Sequence, residues 1–331
     1  MVRVGFIGVG GMGRYQAAAF AKVNGCVVAA GSDVSAESRA EFTKQFPDAK
    51  VYEDHGQLLR SGVDAVVLAT PTGYHAQLSA QVLRAGLPLL LEKPMARTVA
   101  ECRRLNDLAE KTGVPLMVAH CRRYDPYWGI WRKAVLAGRI GAPVLWRHVM
   151  AGRGPGRWFM DERLGGGPLL DGAVHNYDFA NWIFGDPVSV VAGTIKMDPA
   201  VTAADTGSAI VQYAGGNQLL VSWSWAVRGL GVHDVLGPRG FIQFGIGKQT
   251  VSDEDKAKNA YCCLTDAKGN EKLLAAPKHP DMYVIQARHF LDCVRGRAKC
   301  RTPGTEAIKA VAVAEAILKA GHVKGARKVT W

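Results

Sequence analysis

The sequence predicts an α/β protein: an N-terminal Rossmann-type doubly wound parallel sheet, then an α+β domain on a large open, mainly antiparallel sheet. Three observations predict it. A strand, a glycine-rich turn and a helix follow one another over residues 2–14, VRVGFIGVGGMGR. Apolar strands then alternate with helices as far as residue 119, as in a parallel sheet with crossover helices. From 188 to about 274 the pattern changes to strands of period two, such as Val221, Trp223 and Trp225 against Ser222, Ser224 and Ala226.

In the first stretch Val2, Val4, Phe6 and Ile7 form a buried strand. Gly8, Gly10 and Gly13 follow in the spacing GxGxxG, with Gly11 and Met12 inside the turn. Gly8 permits the tight turn, Gly10 lets backbone approach a pyrophosphate, and Gly13 lets the helix pack on the strand. The amides at the helix start then face phosphate. The second strand, 27–32, ends at Asp33, whose carboxylate suits adenosine ribose hydroxyls and repels a 2′-phosphate. NAD is therefore favoured. Arg39, six residues on, leaves NADP as the second option. Asp33 is also a candidate N-cap for a helix over 36–46.

The strand 64–69 ends in Thr70-Pro71-Thr72, and a helix runs from Tyr74 and His75 to residue 85. The strand 87–91 ends in Glu92-Lys93-Pro94, where the X-Pro bond is a candidate for the cis form. A helix over 98–112 and a strand over 114–119 complete the half. Ligands of such sheets sit beyond the carboxyl ends of the strands. The expected coenzyme contacts are therefore Gly8, Gly10, Gly11, Met12, Gly13, Asp33, Arg39, Thr70, Pro71, His75, Glu92 and Lys93.

After residue 121 the alternation stops, which divides the chain into 1–121 and 122–331. A helix over 127–137 and a strand over 143–151 lead into a loop rich in glycine and arginine, 152–167. A helix over 169–184 starts after Pro168 and stops before Gly185. Helices return at 282–294 and 305–320.

Two groups carry the chemistry. Lys93 is a cation at the end of a buried strand, on the side expected for nicotinamide. Asp171, His175 and Asp178 stand at i, i+4 and i+7 on one helix face, against an apolar face of Leu170, Val174, Tyr177 and Trp182. His175 suits proton exchange near neutral pH, and Asp171 suits orienting it or binding a substrate hydroxyl. Asp178 reads as structural. Arg122, Arg123, Arg153, Arg157 and Trp158 are candidates for the substrate side. Their density suggests an anionic substrate, and a solvated or subunit-contacting loop is the alternative. No further spacing supports a metal site.

The 331 residues, 48% hydrophobic and 21% charged, suit a globular protein of two domains. A formal net charge of +12 fits an anionic cofactor or substrate, and no basic run or zinc-finger spacing points to nucleic acid. Seven cysteines without a CxxC indicate reduced thiols, hence a cytoplasmic setting. The apolar stretch at 2–7 is too short for a signal peptide, and no run reaches membrane-spanning length.

The motifs GVGGMGR, ATPTGYH through His75, LEKPMA around Lys93, RRYDP at 122–126 and GGGPLLDGAVHNYD at 165–178 together resemble the Gfo/Idh/MocA oxidoreductases over the whole chain. The resemblance implies NAD(P)-linked oxidation or reduction of a sugar, cyclitol or related polyol, with Lys93, Asp171 and His175 as the catalytic trio. Ala173, where the family often has glycine, and Thr72–Gly73, where asparagine is common, are departures that touch pocket shape only. A redox-neutral enzyme retaining NAD and a dinucleotide-sensing regulator are the competing functions. An apolar sheet face with few elements left to cover it suggests a homo-oligomer.

Overall fold

The computed structural model describes residues 1–244, 260–275, 279–321 and 327–331. It divides into two compact units, residues 1–124 with 280–308, and residues 125–279 with 309–331. In the first, β1 (Val2–Ile7), β2 (Cys26–Ser32), β3 (Lys50–Tyr52), β4 (Ala65–Leu68), β5 (Leu89–Leu91) and β6 (Leu116–Val118) form a parallel sheet in the order β3-β2-β1-β4-β5-β6. The order reverses between β1 and β4, the switch point at which such sheets bind ligands. α1 (Gly11–Ala21), α2 (Ala36–Gln45), α3 (His55–Leu59), α4 (His75–Arg84) and α5 (Val99–Thr112) connect the strands. Both faces of the sheet are covered, so Val66, Val67, Leu90 and Leu91 are all fully buried. Local chemistry sets the helix ends. Thr98 and Glu101 make a reciprocal capping box on α5, and Gly113 ends it at φ +69°. The cap of α2 is Ser35, which accepts the Ser38 amide, and not Asp33. Asp33 is two residues too early to reach the first turn and bonds elsewhere.

The second unit carries α6 (Pro126–Leu136), α7 (Val174–Phe184) and a nine-stranded sheet. Its strands are β7 (Leu145–Ala151), β8 (Pro187–Ile195), β9 (Thr206–Tyr213), β10 (Gln218–Ser224), β11 (Val232–Gly237), β12 (Gly240–Phe244), β13 (Ala260–Asp266), β14 (Glu271–Ala275) and β15 (Arg327–Lys328). Their order is β14-β13-β12-β11-β7-β10-β9-β8-β15, antiparallel except for the β7–β10 pair. One face buries Trp146, Leu219, Val221 and Val235 beneath the helices. There Trp131 meets Trp146 at 5.0 Å and Phe179 at 5.1 Å between ring centres. The other face is open, and Val191 is 54% and Ile210 42% exposed on it.

The continuous helix expected over 169–184 is interrupted. Pro168–Gly172 is a π-helical turn in which the Ala173 amide donates to the Pro168 carbonyl, and the α-helix starts only at Val174. A side chain on Gly172 would come within 2.9 Å of Trp225 and 3.2 Å of Trp223, so the wide turn seats against two indoles. Asp171 and Asp178 are 2% and 1% exposed, and only His175 is partly open.

Two more helices precede the last strand, β15. α8 (Met282–Val294) belongs to the first unit, and α9 (Gly304–Gly321) begins in it. α8 places Val284, Ala287, Phe290 and Leu291 in the same core cluster as Phe6 and Phe20, with Phe20 and Phe290 edge to face at 6.0 Å. Among the described residues no helix is long and apolar enough to cross a membrane. Phe290→Ala is expected to cost about 3–5 kcal/mol. Urea unfolding followed by a probe in the first unit checks this, and a loss below about 1 kcal/mol would show that α8 only decorates that core.

Candidate active site

The coenzyme cradle is built at the carboxyl ends of β1 and β2. Gly8 takes φ +82°, and a side chain there would lie 2.7 Å from the Ala69 carbonyl oxygen. On Gly13 it would lie 1.9 Å from the Gly8 carbonyl oxygen. These two glycines are therefore forced by packing. At Gly10 and Gly11 the same construction meets nothing within 4 Å, so the space over the helix start is open. The first bond of α1 runs from the Arg14 amide to the Gly10 carbonyl, 3.0 Å, which leaves the amides of Gly11, Met12 and Gly13 at the helix mouth. Open space, helix amides and the dipole's positive end are what a pyrophosphate needs. Asp33 is fixed beside them, its carboxylate accepting the Val9 and Ser35 amides, each at 2.9 Å. Lone pairs remain for ribose hydroxyls. Arg39 does not reach toward a phosphate. Its guanidinium donates to the Asp33 and Val34 carbonyls and pairs with Glu53 at 3.2 Å.

At the end of β5 a buried network fixes the turn that carries Lys93. Gln16, fully buried on α1, donates to Glu92 Oε1 at 2.6 Å. Glu92 Oε2 accepts the Lys93 amide at 3.1 Å, and the Lys93–Pro94 peptide is cis. The His75 ring lies between two carbonyl oxygens, Nδ1 2.7 Å from Pro94 and Nε2 2.9 Å from Thr70. It is 1% exposed. His75 thus straps the β4 turn to the β5 turn, a positioning role its sequence context did not reveal. Gln16 was not anticipated at all; its one signal is a polar residue on an alanine-rich helix. The chain beyond β6 is tied down nearby. The Tyr15 hydroxyl donates to Asp281 at 2.8 Å, a bond that raises the Tyr15 pKa. Burial pushes the Cys121 thiol up to about 11.

In the second unit Asp171 and His175 come from the π-helical turn and the first turn of α7. Gly166 and Gly167, at φ +79° and +77°, set the approach, and a side chain on Gly167 would meet the Ala204 carbonyl at 2.5 Å. Trp225 is wedged between Gly154 and Gly172, as a side chain on Gly154 would lie 2.6 Å from it. Next to it is a cavity of about 420 Å³, lined by Arg153, Met160, Asp198, Val201 and Trp225. Of the remaining substrate-side candidates, Trp158 stacks on Phe159 at 3.7 Å and Arg122 is half-buried. Arg123 is 5% exposed and donates to the Arg301 carbonyl at 3.3 Å, which ties two segments of the first unit together. The side chain of Arg157 lies outside the described residues.

The switch-point cradle and the fixed acidic residue define a dinucleotide-binding protein of the NAD type. Residues 2–120 match the family described as Gfo/Idh/MocA oxidoreductases with an NAD-binding Rossmann fold, and residues 131–243 match the Gfo/Idh/MocA C-terminal domain. The chain belongs to the Gfo/Idh/MocA family of NAD-binding oxidoreductases. Inositol 2-dehydrogenase 1 of Saccharopolyspora erythraea is 29% identical over 96% of this chain and 94% of its own length. The rhizopine catabolism protein MocA of Rhizobium meliloti is 32% identical over 60% of this chain and 64% of its own, so that match spans less than two thirds of the relative. A levoglucosan dehydrogenase solved with NADH and levoglucosan shares the fold, with a TM-score of 0.87 at 19% identity and complete coverage of both chains.

Removing the His75 strap is expected to weaken NADH binding and turnover. His75→Ala should raise the NADH dissociation constant about tenfold, about 1.4 kcal/mol, with circular dichroism unchanged. Fluorescence titration of the coenzyme checks it. Wild-type affinity and turnover would show that the β4 and β5 turns hold without the imidazole.

Proposed function

We propose that the enzyme moves a hydride between nicotinamide and a hydroxyl-bearing carbon of a sugar, cyclitol or sugar acid. The observation that carries this reading is the Glu92–Lys93 turn, fixed by Gln16 and His75 at the same sheet edge as the coenzyme cradle. Bound NAD supplies the hydride acceptor, and NADH the donor in reverse. His175 takes the proton of the substrate hydroxyl as the carbon is oxidised, or returns it on reduction. The Lys93 ammonium donates a hydrogen bond to that oxygen and stabilises its developing negative charge. Asp171 orients the imidazole or accepts a second substrate hydroxyl. Arg153 and Trp225, on the 420 Å³ cavity, are the groups offered to the rest of the substrate. Inositol dehydrogenases among the sequence relatives support the polyol class. Seven free thiols support a cytoplasmic location.

The test is a panel of sugars, cyclitols and sugar acids with NAD, read by absorbance of the reduced coenzyme. On the best substrate, Lys93→Ala and His175→Ala should each lower kcat by about 10²–10⁴-fold and leave NADH affinity within about twofold. Wild-type rates in both variants would overturn the assignment.

We further propose that a second copy covers the open sheet face. Val191, Ile210 and Leu220 stand in register across β8, β9 and β10, and the next pair in the row, Arg147 and Asp234, neutralise each other in a two-bonded ion pair. Such an apolar row without net charge suits a self-complementary interface. Ile210→Asp is expected to reduce the mass measured by light scattering to that of a smaller species. An unchanged mass, whether one chain or several, would place any interface elsewhere.

A further inference from the structure

The seven cysteines do not have equal surroundings. Burial pushes the thiols of Cys26 and Cys121 up to about 11 and raises Cys262 and Cys263 as well. Cys293 and Cys300 lie in the first unit and take no part in the coenzyme cradle. Cys293 stands in the last turn of α8, one turn after His289, with Sγ 3.6 Å from His289 Nε2. The chain then doubles back. The Gly296 amide bonds to the Cys293 carbonyl at 3.0 Å, with Gly296 at φ +68°, and the Arg297 amide bonds to the Asp292 carbonyl at 2.8 Å. The Arg301 amide closes the return by donating to His289 Nε2 at 3.0 Å. That bond brings the chain next to Cys300 onto the same ring nitrogen that Cys293 Sγ approaches. Cys293 and Cys300 thus flank one imidazole.

Their surroundings make the pair asymmetric. Cys300 beside it holds the Cys293 thiol well below the usual range, opposed by burial and by Asp292. The pairing and burial push Cys300 up. Cys293 is 7% exposed and Cys300 is partly open to solvent, so an oxidant has a way in.

We propose that Cys293 and Cys300 are a modification site, which a hydroperoxide converts to a reversible disulfide. The Cys293 thiolate attacks one peroxide oxygen. The S–O bond forms, the O–O bond breaks, and the departing hydroxide takes up a proton to become water. The sulfur of Cys300 then attacks that of Cys293. The S–S bond forms, the S–O bond breaks, and a second water leaves with the Cys300 proton. Two thiols are oxidised and one hydrogen peroxide is reduced to two waters. The new bond would join the end of α8 to the segment lying along β6, where Thr302 accepts the Val118 amide at 2.9 Å and its hydroxyl meets Tyr124 at 3.2 Å. This inference is independent of the substrate and of the roles of Lys93 and His175.

The experiment uses the full chain, reduced, desalted and exposed to one equivalent of hydrogen peroxide, then alkylated and mapped by mass spectrometry. The expected product is a peptide linking positions 293 and 300 that has lost about 2 Da and regains it with dithiothreitol. Cys300→Ser should instead leave a sulfenic acid on Cys293 that dimedone traps. The oxidised wild type should melt at a higher temperature than the reduced protein, and the Cys300→Ser variant should show no such shift. Full alkylation of both cysteines after peroxide, or oxidation scattered over Cys26, Cys102 and Cys121 at the same rate, would overturn the proposal.

Discussion

The hydrogen bond from Gln16 to Glu92, 2.6 Å long and shut away from solvent, is the constraint on which the first unit's chemistry depends. A carboxylate that is 6% exposed is costly unless its oxygens are satisfied. Here one oxygen accepts from the helix that opens the coenzyme cradle, and the other accepts the amide of the lysine at the strand end. The two parts that must agree in position, the phosphate-binding helix and the Lys93 turn, therefore share one side chain. His75 adds a second constraint by spanning the β4 and β5 turns. Buried networks of this kind are stiff because breaking any member leaves another unsatisfied.

In the second unit close packing around glycines sets the backbone. Glycines stand where indoles or carbonyls leave no room: Gly154 and Gly172 against Trp225, and Gly167 against Ala204. The result is a π-helical turn whose extra residue lets Asp171 sink into the interior while His175 stays partly open. Insertions of this type are frequent at functional sites because they change the direction of one side chain without moving the helix that follows.

Much of this was legible in the sequence because it is local. The GxGxxG turn, Asp33 at the end of β2 and Glu92-Lys93-Pro94 at the end of β5 are set by a strand, a turn and a helix in immediate succession. What was not legible depends on residues far apart in sequence. Gln16 reads as one more polar helical residue until Glu92, 76 positions on, is seen against it. Arg123 reads as a substrate-side candidate, yet it ends on the carbonyl of Arg301. The break at Pro168–Gly172 was hidden because the apolar period runs through it unbroken, and only the two indoles across from Gly172 explain it. The return of α8 to the first unit likewise has no local signal, since an amphipathic helix suits either core. Of the strand region expected over 188–274, residues 245–259 lie outside the described residues.

The central claim is that the Lys93 turn is already in place before coenzyme arrives. A crystal structure with NADH tests it most directly. The account predicts that the Gln16–Glu92 and His75–Pro94 bonds persist, that the pyrophosphate lies on the amides of residues 11–13, and that the nicotinamide sits beside Lys93. A rebuilt Glu92–Pro94 turn, or a nicotinamide remote from Lys93, would contradict it.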